Sequence, residues 1–221
     1  MGNITALGLR FGVYLAIGLL VGMIAREYAR AWIAAKLGDP TPRLWGRLTL
    51  SPKAWFEPFG SGLLPGLILV LWVVGASLLP PPFAYGKPAP VDPGYLKRGS
   101  RDVVRVSLAG PATNIVLALL GSLPLRVGLS GEAALVPTAF VFANLSLAVF
   151  HLLPIPGLDG ARLVALLLPP DARQMYRNLD RYLPLFIIVV VFVLAHPVYS
   201  IVYALVGALC RTVGGSGCLV V

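Results

Sequence analysis

Apolar positions in this chain fall mostly in long runs, separated by short polar stretches. The runs cover about 7–25, 60–80, 103–125, 133–153 and 183–209. Each is close to the roughly 20 residues a helix needs to cross a bilayer. An amphipathic helix of a soluble domain would repeat its apolar residues at i, i+3 and i+4 instead. The runs read as membrane helices of a single transmembrane domain, residues 1–221, and the fold class as an all-α polytopic membrane protein. The first helix continues through Lys36, giving a span of about 7–36, and Pro40 and Pro42 then break it. Because this run leads straight into a charged turn, it reads as a span rather than a cleavable signal.

The polar stretches refine the topology. Residues 43–53 alternate in places between polar and apolar, which predicts a short hairpin at the membrane surface. The run 60–80 holds Pro65 and has basic flanks on both sides: Arg43, Arg47 and Lys53 before it, Lys87, Lys97, Arg98 and Arg101 after it. A full span keeps its basic flank on one side. The run is therefore read as re-entrant, with a rule-breaking span as the alternative. Residues 81–102, rich in Pro, Gly and charge, read as a loop, and 169–181 carry Arg173, Arg177 and Arg181. Positive-inside counting places 26–53, 81–105 and 171–181 in the cytoplasm and both termini outside.

Composition supports the membrane reading. The chain is 57% hydrophobic and 12% charged, with a mean hydropathy of +0.84, against about 25% charged in soluble domains. The net charge of +9 fits orientation in, and contact with, an anionic lipid bilayer. No aromatic–basic interleaving points to nucleic acid. Cys210 and Cys218 form no ligand pattern or disulfide framework.

The chemistry concentrates where the first run ends, in Arg26-Glu27-Tyr28-Ala29-Arg30. A zinc protease writes H-E-x-x-H here, with two His on one helical face and Glu as general base. Glu27 is kept, but Arg26 and Arg30 fill both ligand positions. A guanidinium has no lone pair to give a cation and stays protonated.

Four segments together resemble the site-2 protease family of intramembrane zinc metalloproteases. The first is the 26–30 turn, continued by Ala34-Ala35-Lys36-Leu37-Gly38-Asp39-Pro40-Thr41. The second is Gly46-Arg47-Leu48-Thr49-Leu50-Ser51-Pro52 with Glu57-Pro58-Phe59-Gly60-Ser61. The third is residues 85–93 with Leu108-Ala109-Gly110-Pro111-Ala112-Thr113-Asn114. The fourth is Asn144-Leu145 with Phe150-His151-Leu152-Leu153-Pro154-Ile155-Pro156-Gly157-Leu158-Asp159-Gly160. The resemblance implies a helical core in which two His of one helix and the Asp of L-D-G hold zinc, while the Glu acts as base. Residue by residue, Glu27 matches the base and Asp159 the third ligand. Trp55 stands where a further family His is often found, and His151 replaces the usual Asn. Asp159 alone cannot hold a catalytic zinc, so no metal cofactor is expected.

Two accounts of the arginines stay open. They are anchors snorkelling to the headgroups, or they stand in for the metal inside the core, paired with Glu27 and Asp159. The resemblance also implies a substrate groove near Asn114, Asn144, His151, Pro154 and Pro156. The expected function is a degenerate, proteolytically inactive homologue that binds or regulates membrane-protein clients or an active relative. The alternative is an active protease with rearranged ligands, such as His151, Asp159 and Glu27. A solute channel is a third reading, but the two related halves with broken helices that would mark it are absent.

Overall fold

The computed structural model describes residues 6–73, 82–192 and 195–214. Among them there is no β-strand. Helix α1, Ala6–Lys36, is 31 residues long, or about 46 Å at 1.5 Å per residue, well beyond the roughly 30 Å of hydrocarbon. Two short helices follow, α2 at Thr41–Leu44 and α3 at Pro52–Trp55. A six-residue π-helical turn, Pro58–Leu63, leads into α4, Leu64–Val73. Then come α5 at Ser100–Arg126, α6 at Leu135–His151 and α7 at Asp159–Ala165. The last described elements are α8 at Pro170–Asn178, α9 at Leu183–Phe192 and α10 at Ala195–Gly214.

Three described helices are long and apolar enough to cross a membrane: Gly8–Lys36, Ser100–Arg126 and Gly131–His151. Shorter apolar helices run over Pro58–Leu71 and Tyr199–Val213. The chain is an integral membrane protein. The choice between re-entrant and spanning for 60–80 turns on residues 74–80, which lie outside the described residues.

The surface hairpin expected at 43–53 is absent. Pro42 and Pro52 lie in short helical turns, where their missing N–H is tolerated, and neither can donate to a strand ladder. The Arg47 amide bonds back to the Pro42 carbonyl at 2.8 Å, not across to a partner strand. The Trp55 indole donates to the Thr49 carbonyl at 2.8 Å, which closes the segment as a compact loop. Cys210 is disulfide-bonded, although the sequence showed no disulfide framework.

Helices α1, α5 and α6 form the core. Helix α6 is innermost and buried without a break from Val141 to His151. Small residues let the three backbones approach. A Cβ on Gly22 of α1 would lie 2.6 Å from Asn144 Oδ1 and 2.9 Å from Asn114 Nδ2. The Asn114 amide donates to Asn144 Oδ1 at 3.0 Å and to the Gly22 carbonyl at 3.2 Å, and Asn144 donates to the Phe140 carbonyl at 2.9 Å. One polar contact thus ties three helices at their crossing.

Candidate functional site

The charged turn of α1 and the start of α7 meet inside the protein. Arg26, Glu27, Arg30 and Asp159 are each no more than 3% exposed. Helical spacing puts residues 26 and 30 on one face of α1. Asp159 reaches that face because Pro154 and Pro156 stop α6, and Gly157, at φ +92°, turns the chain back. Helix α7 then starts at Asp159, and Gly160 sits so tightly on the end of α6 that a Cβ would lie 2.1 Å from the Leu152 carbonyl oxygen. Gly110 of α5 forms the floor: a Cβ there would lie 3.2 Å from Arg26 Nη2, from Arg30 Cδ and from Asp159 Oδ2.

Both guanidiniums are engaged by the carboxylates. Arg26 bridges Glu27 Oε1 and Asp159 Oδ2. Arg30 Nη1 lies 3.0 Å from Glu27 Oε2, and its Nε lies 3.2 Å from Asp159 Oδ1. The last is an ion contact whose angle does not make a hydrogen bond. The Ala89 amide adds a bond to Glu27 Oε2 at 2.9 Å. Every carboxylate oxygen of the pair therefore faces a cation. Two positive and two negative charges cancel, which a buried charged group requires.

The loop that supplies the Ala89 amide is held from two sides. Asp39, fully buried, accepts from the Thr41 amide at 2.9 Å and the Asp92 amide at 2.8 Å. Tyr85 N–H donates to the Gly60 carbonyl at 3.0 Å, and Lys87 N–H to the Trp55 carbonyl at 2.9 Å. Trp55 is buried, and the Arg47 guanidinium lies 5.2 Å from its ring centroid. The G-D and E-P-x-G segments thus act as struts for one backbone donor. Sequence reasoning missed Ala89, whose contribution comes from the backbone and leaves no side-chain signal.

Of the residues expected along a groove, Asn114, Asn144, His151 and Pro156 are buried and Pro154 is exposed. Asn114 and Asn144 are fully buried at the helix crossing and line neither described cavity. His151 is buried, with Nδ1 2.9 Å from the Leu147 carbonyl oxygen and Nε2 without a hydrogen-bond partner. Pro154 is exposed and its carbonyl accepts from the Tyr176 hydroxyl at 2.7 Å, while Pro156 is buried.

This donor set does not fit a zinc ion. Two guanidiniums stand where lone pairs are needed, and both remaining carboxylates are taken up by them. Among the described residues, no group of three or more His, Cys, Asp or Glu is placed to hold a metal.

The helical core and the altered H-E-x-x-H turn define a site-2 protease-like membrane protein, and similarity to known proteins agrees. The chain is 35% identical over 179 residues to "Putative zinc metalloprotease YwhC" of Bacillus subtilis, covering 76% of this chain and 75% of that protein. It is 31% identical over 183 residues to "Putative zinc metalloprotease Rip2" of Mycobacterium tuberculosis, covering 80% and 67%. It is 31% identical over 144 residues to "Putative zinc metalloprotease MJ0611" of Methanocaldococcus jannaschii, covering 65% and 64%. The chain belongs to this site-2 protease-like family. No family profile matches it, and no solved structure does either.

Proposed function

We propose that this chain is a proteolytically inactive member of its family that binds the transmembrane segments of client proteins or of an active relative, with its motif loops in the cytoplasm. The observation behind the inactive reading is the buried quartet. Arg26 and Arg30 supply at the ligand positions the positive charge that a metal would bring, and their hydrogen bonds hold Glu27 and Asp159. Glu27 is then an ion-pair partner with no metal-bound water to deprotonate.

Elemental analysis of the purified protein is expected to give no stoichiometric zinc. About one zinc per chain, lost on Asp159→Ala, would restore the reading of an active protease with rearranged ligands.

Client binding is supported by family membership and by a lateral cavity of about 230 Å³ between α1 and the start of α4. Its wall includes Ala16, Ser61, Gly62 and Gly66, and small residues let a second helix approach closely. Gly66 offers a clean test, because a Cβ there meets nothing within 4 Å. Gly66→Leu is expected to leave stability unchanged and to weaken the association of labelled single-span helices, read by energy transfer in liposomes. Equal transfer for parent and variant would remove this cavity from the client site.

A further inference from the structure

A second cavity, of about 360 Å³, lies one helical turn from the quartet, between the 91–100 loop, α5, α7 and α8. Ser107 precedes Gly110 by one turn on α5, and Arg162 follows Asp159 by one turn on α7. The cavity wall contains Arg162, Arg173 and Arg177 against one acid, Asp180.

These charges are not equally available. Arg173 is bound to three carbonyls: Ala165 at 3.0 Å, Leu166 at 3.2 Å and Leu168 at 3.1 Å. Arg177 donates to Gln174 at 2.7 Å. Asp180 accepts the Gly157 amide at 2.8 Å. Arg162 is half-buried and makes no hydrogen bond or ion pair among the described residues. Ser107 is 1% exposed, and its hydroxyl has no partner. A half-buried cation and a buried hydroxyl left unpaired both cost free energy unless something binds them.

We propose that this cavity binds a phosphate-bearing ligand, with Arg162 as its ion-pairing anchor and the Ser107 and Ser100 hydroxyls as donors. A phosphate presents several oxygens at once, which suits a planar guanidinium fork on α7 facing two hydroxyls of α5. The volume lies at the small end of ligand pockets, which start at about 300 Å³. That leaves room for a phosphate ester with a small organic group. The nearby Arg30, and then burial, hold the Arg162 guanidinium down to about 10. It is therefore still charged at neutral pH, and an anion beside it would relieve the repulsion. The source is either a soluble phosphate ester or the headgroup of an anionic lipid. The site does not depend on whether the quartet is proteolytically silent.

The test uses the full chain in nanodiscs. One arm titrates glycerol 3-phosphate into discs of phosphatidylcholine and follows the unfolding temperature. The other measures, by native mass spectrometry, retention of phosphatidylglycerol over phosphatidylcholine. Arg162→Gln is expected to weaken the binding that is seen by at least tenfold, and Ser107→Ala by several-fold. Arg43→Gln, a change at an exposed basic residue far along the chain, is expected to leave it unchanged. Saturation in the first arm assigns a soluble ester, and selective retention in the second assigns a lipid headgroup. Unliganded Arg162→Gln should fold, since it removes a charge that Arg30 repels; if it does not, Ser107→Ala decides the matter. No binding in either arm overturns the proposal. So does binding unaffected by Arg162→Gln and Ser107→Ala, or weakened equally by Arg43→Gln.

Discussion

Replacing Asp159 with Ala is expected to destabilise the folded chain by about 3–5 kcal/mol, the usual cost of removing one partner from a buried ion pair. The variant leaves Arg26 and Arg30 with only Glu27 between them, all three at most 3% exposed. One positive charge is then uncompensated in the interior. Arg26→Met is expected to cost a similar amount for the opposite reason, since two carboxylates would then share Arg30. The double variant Arg26→Met/Asp159→Ala restores neutrality. It keeps the Arg30–Glu27 contacts at 3.0 and 3.2 Å and the Ala89 bond at 2.9 Å. Its cost should fall short of the summed single costs by about 1–3 kcal/mol, the coupling typical of directly bonded residues. Equilibrium unfolding in detergent micelles measures all three. Additive costs would mean that the four groups do not act as a unit, and the case for a metal-replacing quartet would fail.

The helical class was legible because long apolar runs with little charge have few alternatives in a bilayer. The alternation at 43–53 that suggests a hairpin rests on only a few residues. Two prolines, at 42 and 52, outweighed that pattern by favouring short helical turns. The quartet is a different case. Arg26 and Asp159 are 133 residues apart, and no local pattern links them. Only the order of the motif segments pointed to their meeting. That both arginines would be needed to cover all four carboxylate oxygens follows from geometry alone. The same holds for Asp39, which looks in sequence like an ordinary turn residue but is fully buried and holds the loop that carries Ala89. The assignment of Asn114 and Asn144 to a groove rested on resemblance. Both are buried at the helix crossing, where the Asn114 amide N–H groups reach Asn144 Oδ1 and the Gly22 carbonyl and Asn144 donates to the Phe140 carbonyl, while Asn114 Oδ1 has no partner.

Changing Arg26→His and Arg30→His together is expected to convert the chain from metal-independent to zinc-dependent stability. Residues 26 and 30 lie on one face of α1, and Asp159 faces them, so the variant sets two imidazoles and a carboxylate around one point. Three protein ligands with an open fourth position make a catalytic-type zinc site. Gly110 helps, because it adds no side chain to that space. Without metal the variant loses both cations that balance Glu27 and Asp159, so chelator treatment should lower its unfolding temperature well below that of the parent. Zinc at 1,000 times its dissociation constant would return about 4 kcal/mol by mass action. Elemental analysis should find about one zinc per chain, and adding Asp159→Ala should abolish it. Proteolysis is expected to return less fully than metal binding. Trp55 and His151 still depart from the family pattern, and losing a group that orients the ligands typically costs about 10–100-fold in metal affinity or activity. If the double variant binds zinc no better than the parent and chelators leave its stability unchanged, the turn at 26–30 does not present its side chains as a metal site requires. Arg26 and Arg30 would then be structural ion-pair partners of a core that was never arranged around an ion.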